Sequence, residues 1–163
     1  MASDIFLKIK DIDGESTDKG HEKWMEIESF SWGAHQAASS RVSTAGGATS
    51  ARADFGDLSV VKMLDSASPN LALACASGKH IDEVTLELNR AAGDSKVKYM
   101  EYKLNDVIIS SISVGGGGSS VPVETLSLNY AKISWTYTMQ KRAGGGGGGN
   151  VAAGWDLTKN VKI

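Results

Sequence analysis

The chain is poor in the residues that usually build a large core or lock a fold covalently. Leu, Ile, Val and Phe together account for 35 of its 163 residues, and it has only two prolines and one cysteine, Cys75. A single cysteine excludes an internal disulfide and a zinc site built from several cysteines. No apolar stretch approaches the roughly 18 residues that a membrane-spanning helix requires, so we do not expect a membrane protein.

The chain also lacks a strong net charge and a leader sequence. Its 17 basic residues are balanced by 19 acidic ones, which leaves no electrostatic footprint for nucleic acid. The first residues, MASDIFLK, contain neither the basic region nor the apolar segment of an ordinary secretory signal. We therefore expect a protein that is made in the cytoplasm and has no signal peptide.

Small residues are abundant in place of large apolar ones. The chain has 20 serines, 18 alanines and 19 glycines, and ten of the glycines fall in the runs 115–118 and 144–149. The run at 144–149 predicts a flexible tip, because consecutive glycines do not hold one backbone conformation. Residues 34–55 predict a long loop, and loops of this length in compact domains are usually functional or mobile.

Alternation of apolar and polar residues is the dominant pattern and predicts β-strands with one buried face. It is clear at 5–9, 84–88, 126–130 and 133–139, and weaker at 24–32, 57–64, 97–104 and 107–114. The alternation reverses between Ile27 and Phe30, which predicts a bulge near Glu28–Ser29. Trp155, Leu157 and Val161 predict a final strand after the glycine run. About eight short strands indicate a sandwich or barrel.

One segment, at about 68–77, predicts a short helix instead. Ser68 suits the N-cap, Pro69 the first helical position and Gly78 the position after the last turn. So short a helix is marginal alone. We therefore expect Leu71 and Cys75, which lie four residues apart, to pack it against the strands.

Motifs for enzyme chemistry are missing. The residues from Asp11 to Gly14 begin like a calcium loop, but the glycine stands at position 4 instead of 6, so a solvated turn is the better interpretation. His21, His35 and His80 are scattered, and we expect them at the surface. The chain has no nucleophile elbow, and its glycine runs lack the Gly-Lys-Ser/Thr ending of a phosphate loop. We predict no catalytic residue, metal site or cofactor.

Four groups of residues, in order along the chain, resemble the haemolysin-coregulated protein (Hcp) family of type VI secretion systems. They are IDGESTD (12–18) followed by FSWG (30–33); KMLDSASP (62–69) with Gly78 and Lys79; YMEYKL (99–104) with 107–111; and Glu124, Tyr130 and KISWTY (132–137). Each motif alone is weak, whereas four in register are specific. The resemblance covers about residues 4–140.

The resemblance implies a fold and a function. It implies a single domain over 1–163 that is mainly β, a two-sheet β-barrel with one short helix, assembled as a ring of six. Such rings stack into a tube that a contracting sheath expels and a spike protein caps, and family members carry effectors inside the ring. The expected localisation is the bacterial cytoplasm during assembly and then the medium, after export without a signal peptide.

Two groups of residues are candidates for assembly contacts. The outward positions of the clearest strands are short, polar and uncharged, and we predict that they line the lumen or a subunit contact: Ser127, Asn129, Ser134, Thr136 and Thr138. An ordinary solvated sheet face is the alternative interpretation. The long loop is predicted to connect stacked rings through Ser43, Thr44, Gly46, Gly47 and Thr49.

Two other functions stay open from the sequence. A tail-tube subunit of a phage-like particle would have the same physical properties, and a monomeric ligand-binding β-barrel would have the same strand pattern. The tube subunit predicts a hexamer in solution, whereas the ligand-binding barrel predicts a monomer with an internal cavity.

Overall fold

The computed structural model describes residues 3–37, 52–92, 95–140 and 147–163. Within these ranges the chain forms eleven strands and one helix, which confirms the mainly β prediction. The strands are β1 (Ser3–Ile9), β2 (Met25–Ile27), β3 (Ser29–Ser31), β4 (Ala34–His35), β5 (Asp54–Phe55), β6 (Leu58–Met63), β7 (Ile81–Ala92), β8 (Ser95–Gly115), β9 (Val123–Gln140), β10 (Gly147–Asp156) and β11 (Val161–Lys162), and the helix is α1 (Ser68–Ser77).

Antiparallel pairing joins nine of these strands into one sheet that closes on itself. The order is β2-β1-β7-β8-β9-β6-β3, and β2 and β3 are separated in the chain only by Glu28. The sheet therefore closes into a barrel where the chain passes from β2 to β3. β10 and β11 continue the sheet beside β9. β4 and β5 form a separate two-stranded sheet.

The bulge predicted at Glu28–Ser29 is a change of partner strand. Residues before Glu28 pair with β1, and residues after it pair with β6. The Glu28 amide donates to the carbonyl of Val61 at 2.8 Å, so the corner loses no backbone hydrogen bond there. The reversal of alternation was thus a correct signal of a break in the strand, but it marks the barrel corner and not a bulge.

Two predicted pairs of strands are each one long strand. The segments 97–104 and 107–114 both lie in β8, and 126–130 and 133–139 both lie in β9. The core-facing position changes parity from Leu104 to Val107 in β8 and from Tyr130 to Ile133 in β9. Asp106, with φ at 51°, lies at this change. The two strands therefore bend together and stay paired through the bend.

The barrel interior holds the large apolar side chains that the alternation predicted to point inward. Leu7, Val84, Leu86, Leu104 and Leu126 are completely buried. Burial of this kind is the main stabilising term of the fold, at about 25 cal/mol per Å² of apolar surface. The small stock of large apolar residues is thus concentrated in one core.

The helix has its predicted bounds, but its start differs from the prediction. Gly78 ends it with φ at 65°, and Pro69 lies in its first turn. Ser68 does not cap it, because it is already the first helical residue: its hydroxyl accepts from the Asp65 amide before the helix and donates to the carboxylate of Glu124 at 2.8 Å. Leu71 is buried and Cys75 packs against the core, as predicted.

The predicted loops are partly strand. The ends of the 34–55 segment pair as β4 and β5, while residues 38–51 lie outside the described residues. Gly147 to Gly149 belong to β10, and the rest of the glycine tip is also outside the described part. The predicted final strand is a hairpin: Trp155 is in β10, Val161 is in β11, and Leu157 is in the turn between them.

Candidate functional site

The five residues predicted to form a polar face all lie on β9 and point away from the core. Leu126, Leu128 and Ile133 are their buried neighbours. Ser127, Ser134, Thr136 and Thr138 are half-buried, and Asn129 is exposed. Ser127 and Asn129 lie before the bend in β9, in the half of the strand that pairs with β6. The other three residues lie after the bend, in the half that pairs with β10.

Asp57 organises the first part of this face. Its carboxylate accepts hydrogen bonds from the Ser110 hydroxyl at 2.6 Å and from the Asn129 side-chain amide at 3.0 Å. The hydroxyls of Ser59 and Ser127 lie 3.3 Å apart, as partners across β6 and β9. The short polar side chains are therefore held in a hydrogen-bonded surface and do not move as independent groups.

The second part of the face continues onto β10. Ser134, Thr136 and Thr138 pair with Gly154, Ala152 and Asn150, and the Thr138 hydroxyl donates to the Asn150 side chain at 2.8 Å. All six positions are small or neutral. Charged residues begin on the other side, where Glu101 and Lys103 of β8 pair with Thr136 and Ser134. The neutral surface is thus a strip over β9 and β10.

The predicted ring-stacking residues, Ser43, Thr44, Gly46, Gly47 and Thr49, lie outside the described residues. The base of their loop is fixed by the β4–β5 pair and by the guanidinium of Arg52, which donates to the carbonyl of Leu157. Both anchors place the ends of the loop beside the barrel and the turn before β11.

Sequence reasoning missed a buried ionic network at the start of β9. Lys62 and Glu124 are both completely buried and directly opposed across β6 and β9, and the ammonium donates to the carboxylate at 2.8 Å. The same ammonium donates to Asp65 at 2.9 Å and to the carbonyl of Met63 at 3.0 Å. Ser68 completes the network through its bond to Glu124.

This network holds the turn before the helix. Asp65 accepts from Lys62 and from the Ala67 amide, and the Ser68 hydroxyl accepts from the Asp65 amide at 3.1 Å. The KMLDSASP motif therefore supplies the cation, the carboxylate and the hydroxyl that link β6, β9 and α1. The sequence feature that could have revealed this network is Lys62 itself, a lysine at a core-facing position of β6, which lies opposite a glutamate in β9.

His21 is buried, so the prediction that it lies at the surface is wrong. Its ring stacks on Phe6 with centroids 4.2 Å apart, and its two nitrogens lie 3.0 Å from Asp18 and 2.7 Å from Glu87. The polar 12–24 segment folds over the outer face of β1 and β7, and that fold covers the ring. His80, by contrast, is exposed and pairs with Asp106.

Charge around His21 fastens the 12–24 segment to the barrel. The Lys96 ammonium hydrogen-bonds to Asp18, and this contact, followed by that from His21, lowers the pKa of the Asp18 carboxyl. The hydrogen bond that Lys96 donates to Asp18, with a second that it donates to Asp4, raises the pKa of Lys96. Both groups are therefore charged over the physiological pH range.

A cluster of partly buried aromatic rings packs against the core near the bend of β9. The Trp32 ring lies within 6.3 Å, centroid to centroid, of the rings of Phe55, Tyr102 and Trp135. Its indole N–H donates to the Tyr130 hydroxyl at 2.6 Å, and that hydroxyl donates to the carbonyl of Gly56 at 2.7 Å. Burial raises the pKa of Tyr130, against the opposing effect of the Trp32 bond.

Two groups of apolar side chains are exposed at opposite ends of β9. We define the hairpin patch as Tyr137, Met139 and Val151, and the turn patch as Met63, Leu64, Val121 and Val123. The sequence predicts Tyr137 and Met139 as core-facing, since they continue the alternation of Ile133. Both side chains do lie on the core-facing side of the sheet, but they are beyond the end of the core, and no described residue buries them.

The described ranges contain no group of three or more His, Cys, Asp or Glu arranged to hold a metal ion. In the same ranges no helix is long and apolar enough to cross a membrane.

Comparison with known proteins identifies the family. The family described as "Type VI secretion system effector, Hcp" matches residues 6–137. "Protein hcp1" of Pseudomonas aeruginosa is 39% identical over 163 residues, which is 99% of each chain. "Major exported protein" of the same species is 26% identical and covers 89% of this chain and 87% of its own.

A solved structure shows the same fold. The structure of a type six secretion system protein superposes with a TM-score of 0.92 and 36% identity, and the match covers 99% of this chain and all of that one. The resemblance seen in the four motifs is thereby confirmed over nearly the whole chain. The chain belongs to the Hcp family of type VI secretion system proteins.

Proposed function

We propose that this protein is the tube subunit of a type VI secretion system, in which six copies form a ring and rings stack end to end. The family membership supports a role in secretion. The observation that carries the ring is the pair of exposed apolar patches at opposite ends of β9, because a closed ring needs two different surfaces on every copy.

The neutral strip is proposed to face the lumen. Ser127, Asn129, Ser134, Thr136 and Thr138 offer hydroxyl and amide groups and carry no charge themselves, although the Asp57 carboxylate lies against Asn129. Effectors of different charge would pass such a surface without tight binding. A ring structure with Ser134 and Thr136 on its outer rim would contradict this assignment.

Stacking is proposed to involve the loop that contains Ser43, Thr44, Gly46, Gly47 and Thr49. Deletion of residues 40–50 is then expected to leave single rings and remove end-to-end tubes in electron micrographs. Tubes that still form after the deletion would exclude the loop from stacking.

The further partners of the proposal are the sheath around the tube, the spike protein at its end and effectors in its lumen. Export itself is supported by the relative named "Major exported protein". The proposal assigns no reaction to the protein and needs no cofactor.

Light scattering on a size-exclusion column tests the ring directly. The chain mass is 17.1 kDa, and we expect six times this mass at micromolar protein concentration. A mass of one chain, independent of concentration, would contradict the tube subunit and favour a monomeric barrel.

A further inference from the structure

The hairpin patch consists of large apolar side chains that are exposed to solvent. Val151 pairs with Tyr137, so both side chains are on one face of the β9–β10 hairpin, and Met139 shares the parity of Tyr137. Their exposed fractions are 61%, 42% and 46%. Lys162 pairs with Trp155 and therefore lies on the same face, and within the described residues its ammonium has no ion-pair partner.

The turn patch has the complementary composition. Met63 pairs with Val123, and the Leu64 amide donates to the carbonyl of Pro122 at 3.0 Å, which holds the two segments together. A groove of about 280 Å³ beside it is lined by Met63, Leu64 and Val121 and by the carboxylates of Glu26 and Glu28. Among the described residues these two carboxylates have no cation.

The two patches of one copy do not cover each other, since both are exposed. Val123 begins β9 and Tyr137 follows fourteen residues later, about 45 Å of strand measured through the bend. Contiguous exposed apolar residues with a polar margin are typical of protein contacts. Two different patches that are far apart on one chain produce a head-to-tail contact, which closes into a ring when the rotation permits.

We propose that the hairpin patch of one copy packs on the turn patch of the next, with Lys162 facing Glu26 and Glu28. The proposal rests on the ring described above and assigns its subunit contact. It matches apolar to apolar surface, and one cation to two carboxylates that, like it, have no ion-pair partner in the described part of the chain. Opposite charges at the margin fix the register of such a contact more than they strengthen it.

A mixing experiment with two half-defective variants tests the contact. The hairpin variant is Met139→Glu with Val151→Glu, and the turn variant is Met63→Glu with Val121→Glu. Each variant alone is expected to have the mass of one chain. An equimolar mixture is expected to give a dimer, because the intact turn patch of the first accepts the intact hairpin patch of the second. That dimer cannot extend further.

The control is Leu73→Glu. Leu73 is 65% exposed on α1 and outside both patches, so this variant should keep the mass of the wild type. Far-ultraviolet circular dichroism should show the same strand signal for all variants, since every altered residue is exposed. If both patch variants remained hexamers like the wild type, the proposed contact would be overturned, whereas the ring itself would not. A dimer of one variant alone would also overturn it, because it would show like patches pairing.

Charge reversal tests the register. Lys162→Glu and the pair Glu26→Lys with Glu28→Lys are each expected to weaken ring association by up to about fivefold, the range of exposed ion pairs. The combined variant should regain wild-type association. Losses that add in the combined variant would overturn the charged part of the contact. A monomeric wild type would instead refute the proposed function itself.

Discussion

The two halves of β9 have the same sequence pattern and different surroundings. In the first half, between β6 and β8, the inward residues Glu124, Leu126, Leu128 and Tyr130 are all buried. In the second half, between β8 and β10, Ile133 is buried but Tyr137 and Met139 are nearly half exposed. Alternation therefore determines which side of the sheet a residue occupies, and other elements determine whether that side is covered.

Buried carboxylates anchor the two halves in different ways. Glu124, at the start of β9, is paired with a buried lysine at 2.8 Å. Asp156, opposite Lys132 in the second half, is almost as deeply buried, but its lysine lies 3.9 Å away. Its carboxylate accepts instead from the Thr158 hydroxyl at 2.6 Å and from the amides of Thr158 and Lys159. The start of β9 therefore depends on an ion pair, and its bend, where β10 ends, depends on a turn.

Breaking the ion pair should have the largest effect on stability. Lys62→Met leaves Glu124 as a buried charge without its cation, which costs about 3–5 kcal/mol in comparable pairs. Urea or thermal unfolding followed by circular dichroism, at equal protein concentration, measures the loss.

The matched control is the double variant Lys62→Met with Glu124→Leu. An apolar pair of similar volume removes both charges, so most of the stability should return. A double variant as unstable as Lys62→Met alone would show that the Ser68 and Asp65 contacts, and not the unpaired charge, are the larger contribution.

Tyr130→Phe, at the junction of the two halves, should have an intermediate effect. It leaves the Trp32 indole N–H and the Gly56 carbonyl without their partner. Trp32 is half-buried and Gly56 is exposed, so water replaces part of the loss and we expect about 0.5–1.5 kcal/mol. Unfolding by urea with tryptophan fluorescence measures it. Tyr102→Phe is the matched control, because its ring also contacts Trp32 and its hydroxyl has no hydrogen bond among the described residues. An equal loss in both variants would refute the role of the Tyr130 hydrogen bonds.

The sequence was sufficient for the strands, the helix bounds and the family, because these depend on local alternation, on proline and glycine, and on ordered motifs. It was insufficient where partners are distant in the chain. Ser68 was predicted as a cap because Glu124, 56 residues away, was not visible as its acceptor. His21 was predicted exposed because its cover comes from Phe6 and Glu87. The polar face and the stacking loop stay predictions.

The smallest effect should come from Asp156→Asn, and it should be visible mainly in the pH dependence. The Thr158 hydroxyl bond, aided by the backbone amides and Lys132, lowers the pKa of Asp156 below its ordinary value of 3.8. A lowered folded-state pKa gives stability that is present above pH 3.8 and is lost as the pH falls through the folded value. An asparagine oxygen can still accept the same bonds, so the turn and β11 should remain. The variant should therefore melt slightly below the wild type at pH 7 and approach it as the pH falls toward 3. A difference in melting temperature that is the same at every pH in this range would show that the charge of Asp156 contributes nothing. The turn alone would then anchor the second half of β9.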